Sequence, residues 1–363
     1  MPGELKTYRK KRYFGKTPEP AGGPTGRSFI EVRKKLRKIK IPGPEFVKPM
    51  LATLTDKAFS KEDWVFETKF DGQRCLAFRS GGNVKLVSRN RIGLNGNYPE
   101  LVEAMLAQPA QDFIADGEVV ALRDGLPSFE KLQPRMQITK PAEALGSGIE
   151  VFYYLFDLIY LDGYELTRLG LTLRKDILRQ TFAFEDPIRY AGHVEAAGED
   201  FFREACRKGF EGIIAKRADS AYQPGRSRDW LKFKCGRGQE FVIGGFTDPG
   251  GARTGFGALL LGYYDKGKLV YAGKVGTGFS DFLLKALGAK LKSIRRNTAP
   301  FAPHPQLREK GVHWVKPELV CEVEFSEWTS GGLLRISRFK GIRTDKDPRE
   351  VVREERTGNA RQG

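Results

Sequence analysis

Apolar and polar positions along this chain alternate at the period of strands far more often than at that of helices. WVFETKFDG, from Trp64, alternates cleanly and predicts a strand. RCLAFRS and VKLVSRN read as the next two, with GGN as the hairpin turn between them. FIADGEVVAL, VFYYLFDLIYLDG and DWLKFKC predict further strands. The period lengthens to that of a helix in LTRLGLTLRKDILRQTF and in the first half of FFREACRKGFEGIIAKR, where Gly209 separates helix from strand.

From about residue 239 the texture changes. EFVIGGFTD, GALLLGYYDKGKLVYAGKV and LVCEVEFSEWT are short strands parted by glycine turns, and Asp265-Lys266-Gly267 reads as a hairpin. One helix, SDFLLKALGAKLKSI, interrupts them. Five or so strands with one helix suit a small barrel of the OB type. At the other end, Ser28 and Glu31 have capping-box spacing, and Phe29, Val32, Leu36 and Ile39 form one helical stripe. The expected organisation is a basic arm and amphipathic helix over 1–42, a mixed α/β domain over 43–238, an OB-type barrel over 239–355 and a tail over 356–363. No internal repeat is visible.

Charge changes the picture more than length does. The 363 residues carry a formal net charge of +17, which favours a polyanionic partner, nucleic acid first. Residues 1–42 hold thirteen Lys and Arg against three Glu, more than half of that excess. Cys75, Cys206, Cys235 and Cys321 lie far apart with no C-x-x-C, so neither a zinc ribbon nor a disulfide framework is readable. The three histidines, His193, His304 and His313, do not suggest a His-based metal centre. No signal-peptide pattern and no apolar run of membrane-spanning length stand out. A reducing, cytoplasmic and nucleoid-associated setting is expected.

Candidate chemistry sits on the strands. Along WVFETKFDG, alternation places Glu67, Lys69 and Asp71 on one face and Trp64, Phe66 and Phe70 on the other. A lone K-x-D-G is weak evidence of function. In DWLKFKC, Lys232 and Lys234 share a face, and two adjacent lysines repel unless an anion lies between them. Asp116 and Glu118 share a face in ADGEVV, and Glu211 opens an apolar strand. Carboxylates so placed suit a divalent cation, and turn positions explain them nearly as well. Together these residues amount to one site with a lysine nucleophile, further cations and scattered acids. Neighbouring cations would favour the neutral amine of Lys69 and, with Mg²⁺, neutralise a nucleotide α-phosphate under attack.

ETKFDGQR, from Glu67, resembles the nucleotidyl-lysine motif of the covalent nucleotidyltransferases, the superfamily of DNA ligases, RNA ligases and mRNA capping enzymes. SRN at Ser88–Asn90, DGEVV from Asp116, YLFD from Tyr154, EGIIAK from Glu211 and WLKFK from Trp230 resemble its next motifs in order. YQPGRSRDWLKFK and HWVKPELVCEVEFSEWT are similar to the ATP-dependent ligase domain of bacterial end-joining ligases. The resemblance runs from about residue 44 to 355. It implies an adenylation domain of antiparallel sheets with flanking helices, followed by an OB-fold domain, an α+β protein overall.

The resemblance also implies roles. Lys69 would attack the ATP α-phosphate and become lysyl-AMP; AMP would pass to a 5′-phosphate, and a 3′-hydroxyl would seal the nick. Glu67 would lie beside the adenosine. Arg74 and Arg89 would contact ribose, phosphates or the nick, and Phe156 would stack on adenine. Glu118 would face ribose or metal, and Glu211 would help hold Mg²⁺ or Mn²⁺. Lys232 and Lys234 would grip the α-phosphate with Lys216 nearby, while Asp71 would shape the turn. Arg343, Asp345 and Lys346 resemble the last motif, which meets the pyrophosphate, and Arg335 is a further candidate contact. The implied partners are nicked double-stranded DNA and a Ku-like end-binding protein, with the chain a monomer.

GKVGTGF, from Gly273, lacks the strand–loop–helix frame of a phosphate loop and reads as a barrel turn. YRKKRYFGKTPEPAGG resembles the opening segment of the phosphoesterase domain of end-joining ligases, without that domain's body, so phosphoesterase activity is not expected. An RNA ligase or a capping guanylyltransferase would use the same lysine. An NAD-dependent ligase is disfavoured by the missing cysteine zinc module. A non-catalytic basic OB-fold binder would explain the charge but not the ordered acids and lysines.

Overall fold

A computed structural model describes residues 47–354 except Asp56, Arg237, Ala252, Pro305, Gln306 and Arg308, together with Ile30 and residues 33–35. Of the expected cationic helix, only Ile30 and a single 3-10 turn, Arg33–Lys35, fall among these. The rest of the arm and the tail lie outside the described residues. The chain divides into two compact units, and the second covers Gly236–Glu355.

The first unit contains two sheets. One is ordered β1 (Met50–Leu54), β10 (Gly225–Lys234), β9 (Gly212–Arg217), β2 (Trp64–Thr68) and β8 (His193–Glu195). The other is ordered β7 (Ile188–Tyr190), β6 (Phe152–Leu161), β5 (Asp112–Val120), β3 (Gln73–Ser80) and β4 (Asn83–Ser88), with a short Tyr164–Glu165 strand beside β6. Pairing is antiparallel except at one edge of each sheet. There β1 runs parallel to β10, and β7 runs parallel to β6.

Alternation decides which layer each strand faces. In β2, Trp64 and Phe66 turn to a cluster with Ile213, Ala215 and Phe233, covered by Phe201, Phe202 and Ala205 of helix α4 (Gly198–Arg207). Val65 turns the other way, to Trp230 and to Leu76, Phe78, Ile114 and Phe156 of the second sheet. The strand is therefore buried on both faces, and each fully buried large apolar side chain contributes about 2–3 kcal/mol. The second sheet's far face carries α1 (Pro99–Leu106), α2 (Phe129–Met136) and α3 (Leu171–Thr181) through Leu101, Met105, Leu132, Ile177 and Leu178. The order of layers is helix, sheet, sheet, helices.

The second unit is an antiparallel sheet ordered β13 (Lys268–Val275), β12 (Leu259–Asp265), β11 (Gly238–Thr247) and β14 (Val312–Glu324). β14 also pairs with β15 (Arg338–Ile342) and with Arg295–Arg296. The Phe339 N–H donates to the Thr277 carbonyl and brings β15 round towards the end of β13, as an OB barrel requires. Helix α5 (Asp281–Ser293) packs Leu284, Leu287 and Leu291 into the same core. The Asp265–Lys268 hairpin forms as read, with Lys266 and Gly267 at φ 47° and 76°. GKVGTGF begins in β13 and ends at Phe279, one residue before Ser280, which caps α5, so a strand and a helix do flank this segment, contrary to the expectation from sequence.

Candidate active site

Strand β2 ends at Thr68, one residue before Lys69, although the Lys69 N–H still donates to the Gly212 carbonyl at 3.0 Å. Strand alternation therefore does not extend to Asp71. Its carboxylate accepts from the Phe129 N–H at 3.3 Å, at the first turn of α2. Glu67 and Lys69 go to different partners.

Lys69 donates to Glu211, which sits just ahead of β9. Lys234, on the neighbouring strand, reaches the other oxygen of that carboxylate at 4.0 Å. Burial works against the charge of Glu211, but Lys69, Lys234 and Lys232 outweigh it and hold its pKa below the usual range. The direct partner of Lys69 is thus a carboxylate, with the expected cations around it. Gly212 makes this spacing possible: a Cβ there would come within 1.9 Å of the Phe233 carbonyl oxygen on β10.

Glu67 is 2% exposed and holds two lysines. Lys175, on α3, donates to one carboxylate oxygen at 2.5 Å, and Lys216, on β9, lies 2.6 Å from the other. Lys175 also donates to the Ala191 carbonyl at 2.8 Å and sits 4.9 Å from the Tyr190 ring. Burial opposes the charge of both Glu67 and Lys175, yet their pairing prevails: the acid is lowered and the lysine raised. For Lys216, burial prevails, helped by the charge of Lys175, and its pKa falls to about 8 despite Glu67. Its ammonium rests over Trp230 at 4.1 Å and Phe156 at 4.3 Å.

Phe156 is 7% exposed, and the Arg74 guanidinium lies 4.5 Å from its ring. Arg74 is itself engaged: Asp116 accepts from its Nε and Nη2, both at 2.6 Å. Asp116 also accepts from the Tyr222 hydroxyl at 2.6 Å, and that hydroxyl accepts from the Met50 N–H at 3.0 Å. This network joins β1 of one sheet to β3 and β5 of the other. Glu118 pairs across strands with Arg74 and Tyr154, and Arg89 follows β4 in the turn after Ser88; both are half-buried. Among the described residues no three His, Cys, Asp or Glu side chains converge as a metal cage.

In the second unit, Arg343 donates to Asp345 at 3.0 and 2.9 Å and to Glu322 at 2.8 Å. Burial opposes both charges of the Arg343–Asp345 pair, and their attraction overrides it. Lys346 pairs with Glu240 at 2.9 Å, and Arg335 with Glu327 at 2.8 Å.

The family model for the ATP dependent DNA ligase domain matches residues 49–234, and that for the ATP dependent DNA ligase C terminal region matches residues 252–346. This chain belongs to the ATP-dependent DNA ligase family. The Pseudomonas aeruginosa multifunctional non-homologous end joining protein LigD is 38% identical over 88% of this chain and 38% of its own length. The Mycolicibacterium smegmatis protein of the same description is 38% identical over 90% of the chain and 42% of its own. The chain therefore spans about two fifths of the length of these relatives. Among solved structures, mycobacterial DNA ligase D complexed with ATP and MES is 36% identical, covers 85% of this chain and 98% of its own, and gives a TM-score of 0.61. The RNA-ligase, capping and non-catalytic readings give way to the ligase family. No helix among the described residues is long and apolar enough to cross a membrane.

Two features escaped the sequence reading. Lys175 sits 108 residues from Glu67 on an otherwise ordinary amphipathic helix, and no local pattern announces it. Cys206 and Cys235, for which no disulfide framework is readable in the sequence, form a disulfide across 29 residues. The end of α4 and the end of β10 bring them together on either side of β9, a proximity no C-x-x-C spacing encodes. Cys75 and Cys321 are free and buried.

Proposed function

We propose that this chain seals nicks in double-stranded DNA through a lysyl-AMP on Lys69 and a DNA-adenylate, as the ligase module of an end-joining system. The observation that carries this reading is the grouping of Lys69, Lys232 and Lys234 around the one carboxylate of Glu211. Lys69 must leave Glu211 and shed a proton before it attacks the α-phosphorus of ATP. A P–N bond then forms as the bond to the departing pyrophosphate breaks. Lys232 and Lys234 take up charge on the α-phosphate. Phe156 and Glu67 receive the adenine, Arg74 and Arg89 the sugar and phosphates, and Arg343, Asp345 and Lys346 the pyrophosphate.

The donor set fits a hard divalent cation only if phosphate oxygens complete its shell, the usual arrangement for Mg²⁺. Glu211 would hold Mg²⁺ or Mn²⁺ with Glu118, and the ion would neutralise charge on the phosphates. The names of the relatives support an end-joining setting. A Ku-like end-binding partner, a monomeric ligase and a cytoplasmic, nucleoid-associated location go with that reading. Incubation with α-labelled ATP and Mg²⁺ should label the chain, and Lys69→Ala should abolish both label and nick sealing. Sealing by the Lys69→Ala chain would rule the reading out.

A further inference from the structure

His193 belongs to the same face as Glu67 but has no place in the roles above. It stands directly opposite Glu67 in the antiparallel pair of β8 and β2. Its neighbour Val194 packs on the other side with Phe66. Opposed side chains on adjacent strands have Cβ atoms about 4.5–5.5 Å apart. The face they share, that of Val65, turns to Phe156 and Trp230. Nδ1 of His193 is buried and has no hydrogen-bond partner among the described residues. Buried polar nitrogens are seldom left so, and the neighbouring cations are already engaged. Lys175 holds Glu67 and Ala191, Arg74 holds Asp116, and Lys216 is ion-paired with Glu67 at 2.6 Å, although its Nζ also lacks a hydrogen-bond partner among the described residues. Burial, with the charge of Lys175, brings the imidazole down to about 4. At neutral pH the ring therefore offers one N–H and one bare nitrogen.

We propose that His193 is a base-reading residue whose Nδ1 meets the Watson–Crick edge of adenine beside Glu67. The inference rests on the reading of ATP as the substrate of Lys69. With its proton on Nδ1, the ring donates to N1 of adenine, where guanine carries an N–H instead. The Glu67 carboxylate, an acceptor only, suits the 6-amino group. A site built around such a bond rejects the base that leaves it unpaired.

The test measures lysyl-AMP formation by the full chain with ATP, GTP and 1-deaza-ATP, which lacks N1. His193→Phe should raise KM for ATP about tenfold with kcat changed less than about twofold, as loss of one buried hydrogen bond implies. His193→Asn, which keeps an N–H, should recover most of that loss. Replacing N1 by carbon should cost the wild type a similar factor and cost His193→Phe nothing further. An unchanged KM in His193→Phe, with Lys69 still labelled, overturns the inference and leaves the ligase reading intact. So does an equal 1-deaza penalty in both proteins. Failure of the wild type to take label would instead remove the ATP reading itself. Should His193→Phe fail to fold, the wild type still decides: no penalty for losing N1 overturns the contact.

Discussion

Lys175 donates to Glu67 at 2.5 Å from a side chain with no solvent exposure, two residues before the lysine on which the chemistry centres. An isolated buried ammonium is costly, and so is an isolated buried carboxylate. Each is tolerated here because the other is present. Lys175→Met removes one counter-charge and leaves Glu67 to Lys216 alone. It should cost about 3 kcal/mol, read from the shift of a urea unfolding midpoint. The cycle with Glu67→Gln should show a coupling above about 1 kcal/mol, because the two residues are in contact. Additive losses would mean that the pair contributes nothing as a pair.

The depressed pKa of His193 has a consequence for acid stability. The folded imidazole titrates near 4, while a free histidine titrates near 6.5. Between those values the unfolded chain binds the extra proton, so stability falls as pH falls. The slope approaches 1.4 kcal/mol per pH unit, and the loss across the window totals about 3 kcal/mol. His193→Asn should flatten this part of the stability profile between pH 6.5 and 4. Parallel profiles for variant and wild type would contradict the assignment.

The sequence reveals the motif residues because their partners lie within a few positions or on strands whose alternation is legible. Lys232 and Lys234 both act on Glu211, as the face that alternation gives them suggests, whereas Lys69 lies past the end of β2 and meets Glu211 while Glu67 turns to Lys175 and Lys216. Arg74 is different: its motif position implies a ligand contact, yet its guanidinium is spent on Asp116, a pairing set by strand register. Lys175 and the Cys206–Cys235 bridge depend on how a helix is laid against a sheet, and local pattern does not carry that information. The OB unit is legible from its turn spacing, but the engagement of Arg343 with Asp345 and Glu322 is not.

Asp116 has no solvent exposure and accepts three hydrogen bonds, two from Arg74 and one from Tyr222. Asp116→Asn keeps the shape but removes the charge that Arg74 and Tyr222 share. It should lower unfolding free energy by about 3 kcal/mol, in the range for breaking a buried ion pair. Were Arg74 held only for the nucleotide, this substitution would change KM for ATP and leave the unfolding midpoint in place.

The disulfide offers a test independent of the nucleotide. Cys206 and Cys235 close a loop of about 29 residues that contains Glu211, Lys216, Lys232 and Lys234. Loop-closure entropy gives such a cross-link about 3–4 kcal/mol, mainly by restricting the unfolded chain. The folded geometry around Glu211 does not hang on the bridge alone: the Cys235 N–H donates to the Glu211 carbonyl at 2.9 Å, and β9 pairs with β10 along Gly212–Lys216. Cys206→Ser should therefore lower the urea midpoint while leaving lysyl-AMP formation within about twofold of wild type. Adding a reductant should bring the wild type to the midpoint of the variant and change the variant no further. A variant as stable as the oxidised wild type would show that the bridge adds nothing to stability.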